Sequence, residues 1–324
     1  METPKIPESL VGQDAIEELW LSVANRTEDA REGIFGPRSI SWKVDRESAL
    51  FLGAGRAALL QLAHPWVAAA LDQHSSLRAD PLARFHGTFR LIFSMVFGTL
   101  DQALAASRHI HHLHTFIQGE LPEAIAGYAR GVPYAANEVN ALRWVYATLI
   151  ESALLAYEIV LPPLSTEQRD SYYAETKTFA ALFGIPREEL PPDWTAFAAY
   201  TREMVASDSL GVNAPSRELA HYVLQGGSSW IPVPRWYRAL TASWMPERLR
   251  KQFALEYHSP EEAAANRARR WLPLVYRRLP GPIRFVGPYH EAQARLAGRK
   301  PGPLVHASNR FWMGQPNTMF HQPW

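Results

Sequence analysis

The chain has 324 residues, of which 47% are hydrophobic, and its 33 basic and 32 acidic residues leave a formal net charge of +1. This length suits one large domain with a sizeable core, and we expect a single domain over residues 1–324. The balanced charge argues against a nucleic-acid partner, and the absence of cysteine excludes disulfides and cysteine-ligated metal centres.

The N-terminal sequence and the hydropathy pattern argue against membrane targeting. The N-terminal segment is charged and lacks the apolar core of a signal peptide. No uncharged apolar run reaches the roughly 18 residues that a transmembrane helix needs. We therefore expect a soluble, cytoplasmic protein without a transmembrane segment.

Helical periodicity dominates the chain, and no run of alternating residues predicts a strand. Asp80 followed by Pro81 is typical of a helix start, Gly98 of a helix end, and Asn137 of a helix cap. These signals predict an all-α fold. The predicted helices cover residues 12–22, 46–62, 66–72, 81–97, 101–119, 138–160, 165–183, 193–207 and 216–224. Residues 26–45 are predicted as a loop, shorter helices follow residue 230, and an irregular tail begins at about residue 299.

One histidine shares the apolar face of the helix predicted over 101–119. His114 lies in a stripe with Ala103, Ala106, Ile110, Leu113 and Ile117, whereas His109 and His112 project to another face. A single neutral imidazole on an apolar helix face is how many proteins hold a haem iron. The alternative is a core histidine whose ring is satisfied by a backbone carbonyl.

The helix predicted over 81–97 places Arg84 and Thr88 one turn apart on one stripe. A buried arginine needs an anion, which can be a carboxylate or a haem propionate, and Thr88 offers a hydroxyl to the same space. The alternative for Arg84 is a side chain at the helix start whose guanidinium reaches solvent.

Two further candidates lie in the preceding helical segment. Arg56 shares a face with Leu52, Leu59 and Leu60, so it also needs an anion, which is a propionate or an acid from another helix. His64 stands at a helix end just before Pro65. It is either a candidate cofactor contact or a histidine that bonds the last carbonyls of its helix.

Several blocks in order resemble the family that contains the latex-clearing rubber oxygenases and the MpaB-type oxygenases. The resemblance spans about residues 37–240, followed by C-terminal helices and a tail over 241–324. The blocks are GPRSISWKVDRESALFLGAGRAALLQLAHP, HSSLRADPLARFHGTFRLIFSMVFG, HIHHLHTFIQG, PYAANEVNALRWVYATLIESALLAYE and LPPDWTAFAAYTREM. It implies a globin-like multi-helix bundle around a buried haem b.

The resemblance also implies roles for individual residues. His114 matches the proximal iron ligand, and Arg84 and Thr88 match the arginine and threonine near the haem, where we expect them to act in catalysis. Three departures stand out. Gly87 replaces the lysine of the rubber oxygenases, their catalytic glutamate has no clear counterpart, and Tyr146 stands where relatives often carry histidine.

Together these observations predict a haem-dependent oxygenase. We expect it to act on an apolar or natural-product-like small molecule with O2 or peroxide, with an electron donor as a possible partner. Arg84 or Arg56 would neutralise the propionates, and Thr88 or His64 would steady a bound oxygen. Two alternatives remain, a non-catalytic haem protein that serves as carrier, sensor or electron-transfer module, and a haem-free helical protein that binds a lipid-like ligand.

Overall fold

A computed structural model describes residues 9–75, 80–226 and 233–318. Over these ranges the chain is all-α, as the sequence predicts, with sixteen helices and one two-stranded hairpin. The helices are α1 (Gln13–Arg26), α2 (Ile40–Asp45), α3 (Ala54–Leu62), α4 (Pro65–His74), α5 (Pro81–Phe97), α6 (Leu100–Thr115), α7 (Val139–Val160), α8 (Thr166–Leu182), α9 (Trp194–Ala206), α10 (Ala214–Leu224), α11 (Arg235–Trp244), α12 (Glu247–Gln252), α13 (Ser259–Tyr276), α14 (Gly281–Arg284), α15 (Gly287–Leu296) and α16 (Pro303–Met313). Short 3₁₀ segments lie at Ser48–Leu52 and Arg187–Glu189, and strands β1 (Gln118–Glu120) and β2 (Pro133–Ala135) pair antiparallel.

The capping signals locate several helix ends correctly. Asp80 accepts a hydrogen bond of 2.9 Å from the amide of Ala83, so α5 begins at the predicted residue and ends before Gly98. α6 begins one residue earlier than predicted, because Thr99 and Gln102 form a reciprocal capping box. Local hydrogen bonds therefore determine these boundaries.

The predictions fail where distant contacts decide the structure. The helix predicted over 46–62 is divided at Gly53 into a 3₁₀ segment and α3. A Cβ atom at Gly53 would collide with the carbonyl oxygen of Ser152 on α7, so only glycine permits this close approach. The helix predicted to reach 119 stops at Thr115, since the next residues pair with β2. Two predicted irregular regions contain helices, α2 within 26–45 and α16 within the tail.

α7 occupies the centre of the fold. None of its 22 residues is exposed, and α2, α3, α8 and α13 pack around it. Thirteen of its residues are buried and the other nine are half-buried, so apolar side chains of α7 meet protein in several directions. No helix in the described part of the chain is long and apolar enough to cross a membrane.

A buried carboxylate ties the C-terminal helices to the N-terminal half. Glu47 is 1% exposed and accepts bonds of 2.8 and 2.9 Å from the guanidinium of Arg284 just after α13. It also accepts a 2.9 Å bond from the hydroxyl of Tyr276. This bidentate pair holds α13 and α14 against the 3₁₀ segment that follows Glu47.

We expect Glu47→Ala to lower the free energy of unfolding by about 3–5 kcal/mol, because it strands the charge of Arg284. The measurement is urea denaturation followed by circular dichroism. Glu247→Ala is the matched control, since Glu247 pairs with Lys251 at 2.6 Å on the surface, and its loss should cost at most about 0.5 kcal/mol. Equal costs for the two variants would contradict a structural role for the buried pair.

Candidate functional site

α5 and α6 bring two of the predicted site residues together. Only Gly98 and Thr99 separate the helices, so they pack antiparallel and the start of α5 meets the end of α6. Arg84 lies in the first turn of α5 and His114 in the last turn of α6. The charge of Arg84 reaches His114 and helps to lower its pKa.

His114 is a neutral imidazole in this environment. Its pKa falls to about 4, chiefly because of burial and then because of the charges of Arg84 and His111. A hydrogen bond with the side chain of Asn137 opposes this shift. The described residues show no second hydrogen-bond partner for the ring, so one nitrogen is oriented by Asn137 and the other remains available.

The side chain of Arg84 lies at the surface, but its charged group is partly removed from water. Its side chain is exposed, and yet burial lowers its pKa. Arg84 and the half-buried His114 lie close enough for their charges to interact, and we call the surface that these two side chains share the recess. Within the described ranges no carboxylate pairs with Arg84, so this recess presents an uncompensated cation.

The apolar stripe beside His114 is less covered than a core helix face would be. Ile110 and Ile117 are half-buried and Leu113 is 43% exposed, although the sequence predicts a buried face. The earlier part of the stripe, Ala103 and Ala106, is fully buried. The end of α6 therefore presents an apolar surface next to an available imidazole nitrogen.

Thr88 uses its hydroxyl hydrogen within its own helix. The hydroxyl donates a 2.9 Å bond to the carbonyl oxygen of Arg84, one turn earlier. The prediction that Thr88 donates to a bound oxygen requires this bond to break. In the present arrangement the Thr88 hydroxyl can take part in a further hydrogen bond only as an acceptor.

Arg56 has found the partner that the sequence left as its alternative. Its guanidinium lies 2.5 Å from Glu151 and donates a 2.8 Å bond to Ser152, both on α7. The side chains of Arg56 and Glu151 are 7% and 24% exposed. Because this pair already compensates the charge, Arg56 needs no propionate, and the structure gives no support to that predicted role.

His64 packs against two aromatic side chains. It caps the start of α4, is 3% exposed, and lies with its ring centroid 5.9 Å from Trp66 and 6.1 Å from Tyr128. None of its described ring contacts involves His114 or Arg84. The structure therefore places His64 in an aromatic cluster, with no observed contact to the recess.

Asn137 does not cap α7, although the sequence predicts it as the helix cap. The residue that caps α7 is Glu138, whose carboxylate accepts a 2.7 Å bond from the amide of Ala141. Asn137, 7% exposed, turns instead to His114. The signal was present, because an Asn–Glu pair offers two capping side chains and only one is needed.

Two of the three departures from the family pattern can be located in the structure, and they lie in different settings. A Cβ atom added to Gly87 would meet no atom within 4 Å, so the start of a side chain has room there. Tyr146 is buried and its hydroxyl lies 2.9 Å from that of Thr176 on α8. Tyr146 is thus part of the α7–α8 contact. No group of three or more metal-ligating side chains occurs among the described residues.

Within the described residues the fold is all-helical, and its candidate site sets a neutral histidine beside an arginine that pairs with no carboxylate. Residues 42–277 match the family described as ER-bound oxygenase mpaB/B'/Rubber oxygenase, catalytic domain. This match covers well over half of the chain, so the chain belongs to that family, and oxygenase-type function is supported. The match extends past residue 240, where the resemblance in the sequence ended. No curated protein and no solved structure matches the chain significantly.

We predict that Asn137→Ala releases the ring of His114. At pH 7 the wild-type ring is neutral, and its bond to Asn137 should favour one tautomer. Long-range proton–nitrogen NMR of the imidazoles, assigned with His114→Gln, should show one dominant tautomer in the wild type and a mixture in the variant. Asn140→Ala is the control, since Asn140 bonds Glu138 and Arg143. A tautomer ratio unchanged by Asn137→Ala would contradict the assigned bond.

Proposed function

We propose that the chain is a haem b-dependent oxygenase that acts on an apolar small molecule with O2 or peroxide, with His114 as the iron ligand. One observation carries this proposal: a neutral imidazole, oriented by Asn137, has its second nitrogen available beside the uncompensated Arg84. Family membership supports the oxygenase part. The haem and the substrate class are the part that we add.

The residues at the recess fit a haem. A porphyrin supplies four nitrogen ligands itself, so one imidazole from the protein is sufficient. The open apolar surface of Ile110, Leu113 and Ile117 suits the macrocycle, and Arg84 suits a propionate. When bound, haem supplies the oxidative chemistry of O2 or peroxide.

The chain's own residues have separate tasks in this proposal. His114 binds the iron, and Asn137 holds the imidazole ring in one orientation, so that the ligand nitrogen points in a fixed direction. Arg84 pairs with a propionate. Thr88 lies one turn further along α5 and accepts a hydrogen bond at the same recess. Arg56 and Glu151 hold α3 against α7, and His64 fills the aromatic cluster at α4.

We expect His114→Ala to lose haem. The measurement is the absorbance spectrum of the purified protein together with a haem assay, after expression with haem supplied. The wild type should bind close to one haem per chain and show a strong Soret band. His112→Ala, an exposed histidine of the same helix, is the control and should retain it. Full occupancy in His114→Ala, or none in the wild type, would reject His114 as the ligand or haem as the cofactor.

Arg84→Ala should weaken haem binding by about 1.5–3 kcal/mol, a tenfold or greater faster loss of haem to an acceptor protein, because one charge-assisted hydrogen bond disappears. Arg108→Ala removes the same charge from α6, where Arg108 lies over the ring of Trp20. Its haem loss should be unchanged. If the two variants release haem at the same rate as the wild type, Arg84 does not pair with a propionate.

Gly87→Lys tests the geometry of the recess by adding an amine at the position where the rubber oxygenases carry lysine. The start of the side chain has room, and replacing glycine within a helix should not weaken it. We expect a spectrum typical of low-spin, six-coordinate haem. Gly87→Gln, of similar length without an amine, should keep the wild-type spectrum. Identical spectra for the Lys and Gln variants would mean that α5 does not face the iron.

The oxygenase proposal itself is tested by turnover. Haem-loaded protein is incubated with isotopically labelled O2, with and without a reductant, and with linear isoprenoid alcohols and alkenes as apolar substrates. Labelled oxygen in a product, lost in His114→Ala, supports an oxygenase. Haem binding without product from O2 or peroxide would favour the non-catalytic haem protein.

A further inference from the structure

A second recess lies between α3, α5, α7 and α8, beyond the candidate haem site. Its volume of about 80 Å3 is several times the roughly 10–15 Å3 that one water molecule needs. Its walls are almost entirely aliphatic and aromatic, with Ala57, Phe93 and Ala153 among the lining residues. We call it the apolar cavity.

The polar end of the apolar cavity has unused hydrogen-bonding groups. Asp45 from the last turn of α2 and Tyr172 from α8 both line it. The hydroxyl of Tyr172 is fully buried and has no hydrogen-bond partner among the described residues. The side chain of Asp45 is half-buried, and within the same ranges it forms no hydrogen bond or ion pair. The two groups are close enough for the charge of Asp45 to raise the pKa of Tyr172.

The other polar groups near this end are already engaged. Ser152 accepts from Arg56, and the Thr176 hydroxyl bonds the carbonyl of Tyr173 and lies 2.9 Å from the hydroxyl of Tyr146. The carboxylate of Glu175 accepts from the backbone amides at the start of α2. Asp45 and Tyr172 are therefore the groups left for an occupant.

Buried polar groups without partners cost stability, so they are rare in native proteins unless a ligand or ordered water completes them. A ligand fits better than water alone here, because water needs several polar partners and the rest of the wall is apolar. The required molecule is apolar over most of its surface and polar at one point.

α5 connects the apolar cavity to the candidate haem site. Arg84, Thr88, Ile92 and Val96 form one row at successive turns, and Ile92 and Val96 line the cavity. One turn of helix is about 5.4 Å, so the cavity begins a short distance from Thr88.

We infer that the apolar cavity binds the substrate as an apolar molecule with one neutral oxygen group, which hydrogen-bonds to Asp45 and Tyr172. The substrate role rests on the proposed function, whereas binding itself does not. The neutral class follows from the charges present, since no cation of the described residues faces Asp45. Burial and the neighbouring Glu175 raise the pKa of Asp45 to about 8, so its carboxyl group is protonated near pH 7 and donates a hydrogen bond.

The test uses 1-hexanol, hexane and hexylammonium as probes and reads their affinity from the methyl NMR signals of Ala57 and Ala153 in the full chain. Tyr172→Phe should weaken 1-hexanol binding about threefold to tenfold, the worth of one neutral hydrogen bond, and leave hexane unchanged. Tyr173→Phe is the matched control, because its hydroxyl bonds Pro191 outside the cavity. Ala153→Leu should reduce the binding of both probes.

Three results would overturn the inference. The first is unchanged methyl signals with every probe, which would leave water as the occupant. The second is an equal effect of Tyr172→Phe on the binding of 1-hexanol and hexane, and the third is tighter binding of hexylammonium that is lost in Asp45→Asn. Repeating the titration in His114→Ala separates the two proposals. Binding of 1-hexanol without haem supports the cavity even if the oxygenase fails, and haem binding without 1-hexanol binding rejects the cavity alone.

Discussion

The cover that other helices give α7 is the constraint on which the rest of the structure depends. None of its residues is exposed, and α2, α3, α8 and α13 pack around it. Gly53 permits the closest approach, where the chain meets the carbonyl of Ser152. α7 begins two residues after Asn137, so the packing that buries this helix also fixes the residue that orients His114.

Local sequence signals were sufficient to predict a helix wherever that helix carried both a cap and a clear apolar stripe. α5 begins at the predicted residue, and the phases of α5 and α6 with a two-residue connection bring Arg84 near His114. The hairpin was missed because three-residue strands are too short to show alternation. α16 was missed because its position depends on distant packing, with Trp312 stacked on Phe51 at 3.6 Å.

The side-chain pairs that join different helices could not be predicted from the sequence, because they also depend on distant packing. Arg56 clearly required an anion, but only the fold shows that Glu151 supplies it. Asp45 and Tyr172 carry no motif, and their unused hydrogen-bonding capacity becomes visible only when α2 and α8 meet at the apolar cavity. The polar group that a sequence marks as needing a partner is thus easier to predict than the partner itself.

The C-terminal helices lie outside the residues that match the family, yet they reach the wall of the apolar cavity. The family match ends at residue 277, yet α16 and Arg284 beyond it contact Phe51 and Glu47. Phe51 is the neighbour of Leu50, which lines the apolar cavity. Substitutions in these C-terminal helices, outside the residues that match the family, can therefore shift that wall without altering His114.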